Sequence, residues 1–376
     1  MQLSEYRKEF PILHNKNYLN SCSLGALSLR HREYTNEFLD LWDSMGASAW
    51  YEKWMGTIAD VRDMFARVIG ADPDEVALGH SVSTMLSTLS SSLSFEERSK
   101  VVMTDLDFPT ANYQWLAKER IGVKSNIVIS PDSIHLRLND LLSAIDEETA
   151  VVSTSHVFFG SGFIQDIAAI NAHAESKGAL TIIDAYQSVG QVPVNVKTMN
   201  IDILMTGGLK WLLGGPGITY LYIRKDLISG LEPTAGGWFG VKEQFGFDQT
   251  QFEYHDNAQR FEAGTPAAAA IFAAKAGLEI VLEAGLENIQ KTTKDLTEEL
   301  VHELHKAGFT LRTADNREQR SAIVMIQHPE PAPVVAELAN RGIIVDHRKD
   351  NIRVSPYFYN TSEDIQQFLR EFKDIV

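Results

Sequence analysis

The chain has 376 residues, 44% hydrophobic and 22% charged, enough for about two domains with buried cores. Its 50 acidic against 34 basic residues leave a formal charge of −16, which argues against nucleic acid or an anionic membrane as the main partner. A single cysteine excludes an intramolecular disulfide and a multi-cysteine metal site, so a cytoplasmic location and no metal are expected. The opening MQLSEYRKEFPIL does not read as a signal peptide, and the apolar stretch AAAAIFAAKAGLEIVLEAG carries Lys275 and Glu279 and is no membrane span.

Residues 1–30 read as an N-terminal segment: a short helix, an extended piece at Asn17–Leu19, a turn at Ser23–Gly25 and a helix N-cap at Ser28. Helical patterns follow at about 30–43 and 51–69, the second with Ile58, Val61, Phe65 and Val68 on its core face. ADPDEVALGH is a turn and a strand. SVSTMLSTLSSSL, from Ser81, is a helix whose first turn is rich in hydroxyls. It suits N-capping by Ser81 or Ser83, and equally an anion held by free amides. VVMTD, NIVIS and TAVVSTSH are further strands, the last ending at His156, and a helix closes at Gly178. Strands alternating with helices from about 74 to 224 predict a mostly parallel sheet.

Two strands then frame a glycine-rich loop. ALTIID ends on Asp184, with Gln187 three residues later, and IDILMTGG delivers Lys210. An acid and a lysine at neighbouring strand ends face one crevice, where open α/β sheets bind ligands. The pair suits pyridoxal phosphate, which needs a lysine for its Schiff base and a carboxylate to keep its pyridine nitrogen protonated. Here the chain resembles the aminotransferase class V family, which includes cysteine desulfurases, kynureninases, aminotransferases and lyases.

The resemblance assigns further residues. Its phosphate loop falls on the amides of Val82 and Ser83 and the hydroxyls of Ser83 and Thr84. DFPTANY is similar to the kynureninase FPTD segment, so Phe108 would stack on the pyridine ring while Ala111 replaces the acid. GGWFG places Trp238 at the phosphate, and RFEAGTP, from Arg260, places Thr265 at the phosphate of a neighbouring subunit. Thr265-Pro266 also reads as an N-cap with proline at the first helical position. NYLNSCSLG is similar to the segment lining the substrate pocket, which brings in Ser23, and His156 is a secondary candidate there. IRVSPYFYN resembles the family's RxSPxxYN ending and makes Arg353 the anchor for the substrate's α-carboxylate, a group arginine grips bidentately.

From residue 267 the pattern is two helices broken near Ala284–Gly285, short strands in GFTLR, SAIVMIQH, GIIVDHR and NIRVS, a helix at 332–341 and a closing helix. The expected organisation is a large α/β domain over 31–260 and a small α+β domain over 261–376. The resemblance implies fold type I, a homodimer with shared active sites, and a small amino acid displacing Lys210 to form an external aldimine. Transamination or β-elimination of the C–S lyase kind is expected. A kynureninase-like hydrolase, an epimerase and a cofactor-binding regulator without turnover remain as alternatives. Ala111 and Leu209 depart from kynureninase, and the small domain lacks a desulfurase's cysteine beyond Asn316.

Overall fold

Short runs rich in Val, Ile, Leu and Thr supply the strands, and the longer amphipathic runs between them supply the helices. The computed structural model describes residues 3–376. β1 (Asn17–Tyr18) precedes α1 (Leu29–Met45) and α2 (Met55–Ile69). Next come β2 (Val76–Gly79), α3 (Val82–Ser90), β3 (Lys100–Thr104), α4 (Pro109–Leu116), β4 (Lys124–Val128) and α5 (Leu138–Ala144). β5 (Thr149–Ser155), α6 (Ile167–Ser176), β6 (Leu180–Asp184), β7 (Ile203–Gly207), β8 (Thr219–Ile223) and α7 (Lys225–Ile228) complete the sheet region. The rest is α8 (Ala268–Ala284), α9 (Leu286–Lys306), β9 (Val324–Gln327), α10 (Pro331–Asn340), β10 (Ile343–Ile344), β11 (Asp346–Arg348), β12 (Asn351–Val354) and α11 (Ser362–Ile375).

The main sheet runs β2-β8-β7-β6-β5-β3-β4, and only β8 is antiparallel to its neighbours. After β4 the chain crosses back to the other side of β3, and this reversal opens a crevice beyond the strands' carboxyl ends. β7 and β8 are buried along their whole length, as strands covered on both faces must be. Phe65 of α2 stacks on Tyr220 of β8 with ring centroids 4.0 Å apart.

α8 packs with the large layer, beyond the boundary expected at residue 260. Its Ala268 and Phe272 share a cluster with Phe38 of α1 and Trp54. α8 is mostly buried, with a charged stripe of Lys275, Glu279 and Glu283 turned outward, as a helix packed between layers shows. The small layer's own core joins Leu300 and Leu304 of α9 to Val324, Ile326, Ile352 and Phe368. Its sheet, β11-β12-β9, is antiparallel, while GFTLR contributes only a bridge from Leu311 to Ile326. β1 pairs in parallel with β10, which seats the N-terminal segment on the small layer. Ser28 caps α1 as expected, its Oγ accepting from His31 N at 3.0 Å. Among the described residues no helix is long and apolar enough to cross a membrane.

Candidate active site

The carboxyl ends of β3, β5, β6 and β7 meet the amino end of α3 around a cavity of about 520 Å³. Asp184, at the end of β6, accepts from Tyr186 N at 2.8 Å through Oδ1, and Oδ2 accepts no hydrogen bond among the described residues. Burial pushes its carboxyl pKa up, against the pull of Lys210. Lys210 follows β7 with Nζ 4.4 Å from the Tyr186 ring centroid and 6.0 Å from that of Phe108. Burial draws its ammonium pKa down to about 8 despite the nearby Asp184. Gly207 makes this stacking possible, because a Cβ there would collide with the Tyr186 ring. Tyr186 escaped the sequence reading although it lies inside DAYQ.

Val82 and Ser83 line the cavity at the start of α3, and their backbone N–H groups meet no protein acceptor among the described residues. Thr84 does not join them. Its N–H donates to Ser81 Oγ at 3.2 Å, its hydroxyl to Ser81 O at 3.0 Å, and it faces a neighbouring recess. Each residue turns the helix by about 100°, which carries the third position off the cavity. Phe108 is 46% exposed and forms the opposite wall, edge-on to Phe159 at 5.2 Å. The preceding Asp107, passed over in the sequence, accepts from Thr104 N at 2.9 Å and Ser155 N at 2.6 Å, tying β3 to β5. Burial raises its carboxyl pKa to about 6. Gln187 also lines the cavity, but its amide donates to Cys22 O at 3.0 Å and accepts from Trp211 Nε1 at 2.9 Å.

Three expected residues lie outside this cavity within the chain. Along β5 alternate side chains face opposite ways, so Ser153 and Ser155 reach the cavity and His156 points away. His156 is buried, its Nδ1 has no partner among the described residues, and burial lowers its pKa to about 4. Trp238 sits in a turn with Phe245 and Phe247, half exposed, its Nε1 donating to Gln244 O. Thr265 is exposed, and it caps nothing: α8 starts at Ala268, with Ala267 before it and no side-chain cap.

The far end of the cavity is already cross-paired. Arg353 of β12 donates to Asp346 of β11 through Nε at 2.8 Å and Nη2 at 2.7 Å, to Ser23 Oγ at 2.6 Å and to Phe159 O at 3.2 Å. Ser23 in turn donates to Asp346 Oδ2 at 2.5 Å. The bidentate partner expected from a substrate is therefore supplied by the protein. Cys22 borders the same cavity; burial raises its thiol pKa although Arg353 and Lys210 pull it down.

Residues 33–368 match the family model "Aminotransferase class-V". The chain belongs to the aminotransferase class-V family. An uncharacterized aminotransferase, YcbU, of Bacillus subtilis (strain 168) is 35% identical over 369 residues, covering 98% of this chain and 96% of that protein. The kynureninase of Geobacillus thermodenitrificans (strain NG80-2) is 29% identical, covering 100% and 91%. The same fold is seen in a cysteine desulfurase from Thermococcus onnurineus NA1 (TM-score 0.88, 22% identity, covering 99% and 97%). It recurs in the cystine C-S lyase C-DES complexed with its product cysteine persulfide (TM-score 0.89, 21% identity, covering 97% and 99%). This class-V protein is a pyridoxal phosphate-dependent enzyme of fold type I.

The residues present fit that cofactor. Asp184 offers an unshared carboxylate oxygen, Lys210 a partly neutral amine, α3 free amides for a phosphate, and Phe108 an exposed ring.

Proposed function

We propose that this enzyme removes the α-proton of a small amino acid and completes either transamination or loss of a β-substituent. The observation that carries this reading is Lys210: among the described residues it is the one amine lining the cavity, and its pKa of about 8 leaves part of it neutral at physiological pH. Pyridoxal phosphate, when bound, supplies an electron-withdrawing ring that stabilises negative charge at the substrate's Cα. Asp184 would hold the proton on the ring nitrogen, the positive ring offsetting the burial that otherwise disfavours its carboxylate. Phe108 would cover the ring, and the amides of Val82 and Ser83 with the Ser83 hydroxyl would hold the phosphate. Gln187 keeps one amide hydrogen uncommitted for the ring's phenolic oxygen. Lys210 takes the proton from Cα as a neutral amine and returns it as an ammonium. Arg353 holds the substrate carboxylate, with Ser23 buttressing its guanidinium. The Cys22 thiol, kept protonated by burial, is a poor nucleophile for sulfur transfer, which weighs against a desulfurase.

A homodimer belongs to this reading. Trp238 and Thr265 lie outside the cavity of their own chain, and the exposed Tyr51, Phe245, Phe247 and Phe252 lie along the same surface region as Trp238. A second copy covering that region brings Trp238 and Thr265 toward its cavity. Screening amino acids one by one, with and without a keto-acid acceptor, while recording keto acid, pyruvate and sulfide, tests the chemistry. Turnover that yields no keto acid overturns it, and a monomer by light scattering overturns the dimer.

A further inference from the structure

A guanidinium has five N–H bonds. Arg353 directs them to Asp346, Ser23 and the Phe159 carbonyl, and a single N–H, on Nη1, is left without a partner among the described residues. This pairing follows from strand register: Asp346 stands directly opposite Arg353 across β11 and β12. Arg348 lies two residues along β11 from Asp346, on the same face, and borders the same cavity. Its Nη2 is 3.1 Å from Asp346 Oδ2 and its Nη1 donates to His347 O at 2.7 Å, while the side chain stays exposed. On the proposed reading Asp184 and Lys210 would be engaged by the cofactor. The other fixed charges at this end are Arg348, Arg353 and the Asp346 that both touch, a net charge of about +1.

We infer that Asp346 makes the site selective for amino acids with one carboxylate, held jointly by the free Nη1 of Arg353 and by Arg348. A second carboxylate on the ligand meets no unpaired cation among the residues lining the cavity. With Asp346 neutralised, two full positive charges face the ligand and a second carboxylate becomes welcome. This selectivity rests on the proposed contact between Arg353 and the substrate carboxylate. Arg348 and Asp346 thereby become specificity determinants, neither of them singled out by the motif resemblance.

The test uses the cofactor-loaded protein and two unreactive probes, propionate and succinate, with binding read by calorimetry and by the shift of cofactor absorbance. The wild type is expected to prefer propionate by about tenfold, and Asp346→Asn to remove or reverse that preference. Arg348→Gln, at an exposed position that folding tolerates, is expected to weaken propionate about tenfold, the loss of one charge-assisted hydrogen bond. Equal binding of both probes by the wild type, or an unchanged ratio in Asp346→Asn, overturns the inference. If Asp346→Asn does not fold, unchanged propionate affinity in Arg348→Gln overturns it instead. Arg353→Gln separates the two levels: undiminished propionate binding there means the carboxylate sits elsewhere, and the proposed contact itself fails.

Discussion

The two ends of the cavity are built on opposite principles. At the sheet end, Asp184 keeps a carboxylate oxygen unshared, Lys210 is drawn toward neutrality, and the amides of α3 stay free. At the small-layer end, Arg353, Asp346 and Ser23 satisfy one another almost completely. Unspent hydrogen-bonding capacity marks where a tightly held group belongs. Pre-spent capacity marks where ligands come and go and where charge must be balanced in their absence.

Changes at the sheet end are expected to cost most. Lys210→Ala should lower turnover by about 10³-fold or more, since it removes the base. Borohydride reduction of the wild type followed by digestion should place the cofactor on Lys210, and a label on another lysine would refute the assignment. Asp184→Asn should still bind cofactor yet lose about 10²–10³-fold in kcat, because an amide stabilises the ring's positive charge poorly. Turnover near wild type would reduce Asp184 to a structural role.

The depressed pKa of Lys210 offers a third test. Only the neutral amine attacks a carbonyl, so cofactor uptake by the apoprotein should climb with pH and level off above about 8. An amine at the ordinary lysine value near 10.4 would still be climbing at pH 10. The smallest effect is expected at the rim: Cys22→Ser should keep turnover within about threefold, as for a buried thiol acting as apolar filler. A persulfide on Cys22 together with loss of activity in the variant would restore sulfur transfer.

The contrast between the two ends also explains what was legible in the sequence. Asp184, Lys210 and the start of α3 follow from local pattern, because a strand end and a helix start are short-range features. Thr84 and His156 lie off the cavity by rotation: one helical step and one strand alternation turn them away from it, and motif position carries no facing. Asp346 could not be read at all. Its importance arises from register across β11 and β12 and from Ser23, 323 residues away in the chain. Tyr186 was hidden for another reason, since its role depends on the missing Cβ at Gly207.

The pairing of β1 with β10 bears on the order of synthesis. Tyr18 meets Ile344, Asn20 bridges Ser355, and Cys22 N donates to Ser355 Oγ at 3.0 Å. The wall that carries Cys22 and Ser23 is made long before residues 343–355, and until those emerge it has only the large layer to pair with, through Gly25 N to Leu209 O and Gln187 to Cys22 O. The sheet can collapse and expose Lys210 well before then, as amino-terminal regions fold first during translation. A chain still short of residues 343–355 would thus present a reactive amine without its carboxylate end, and the site would become selective only once those residues are in place.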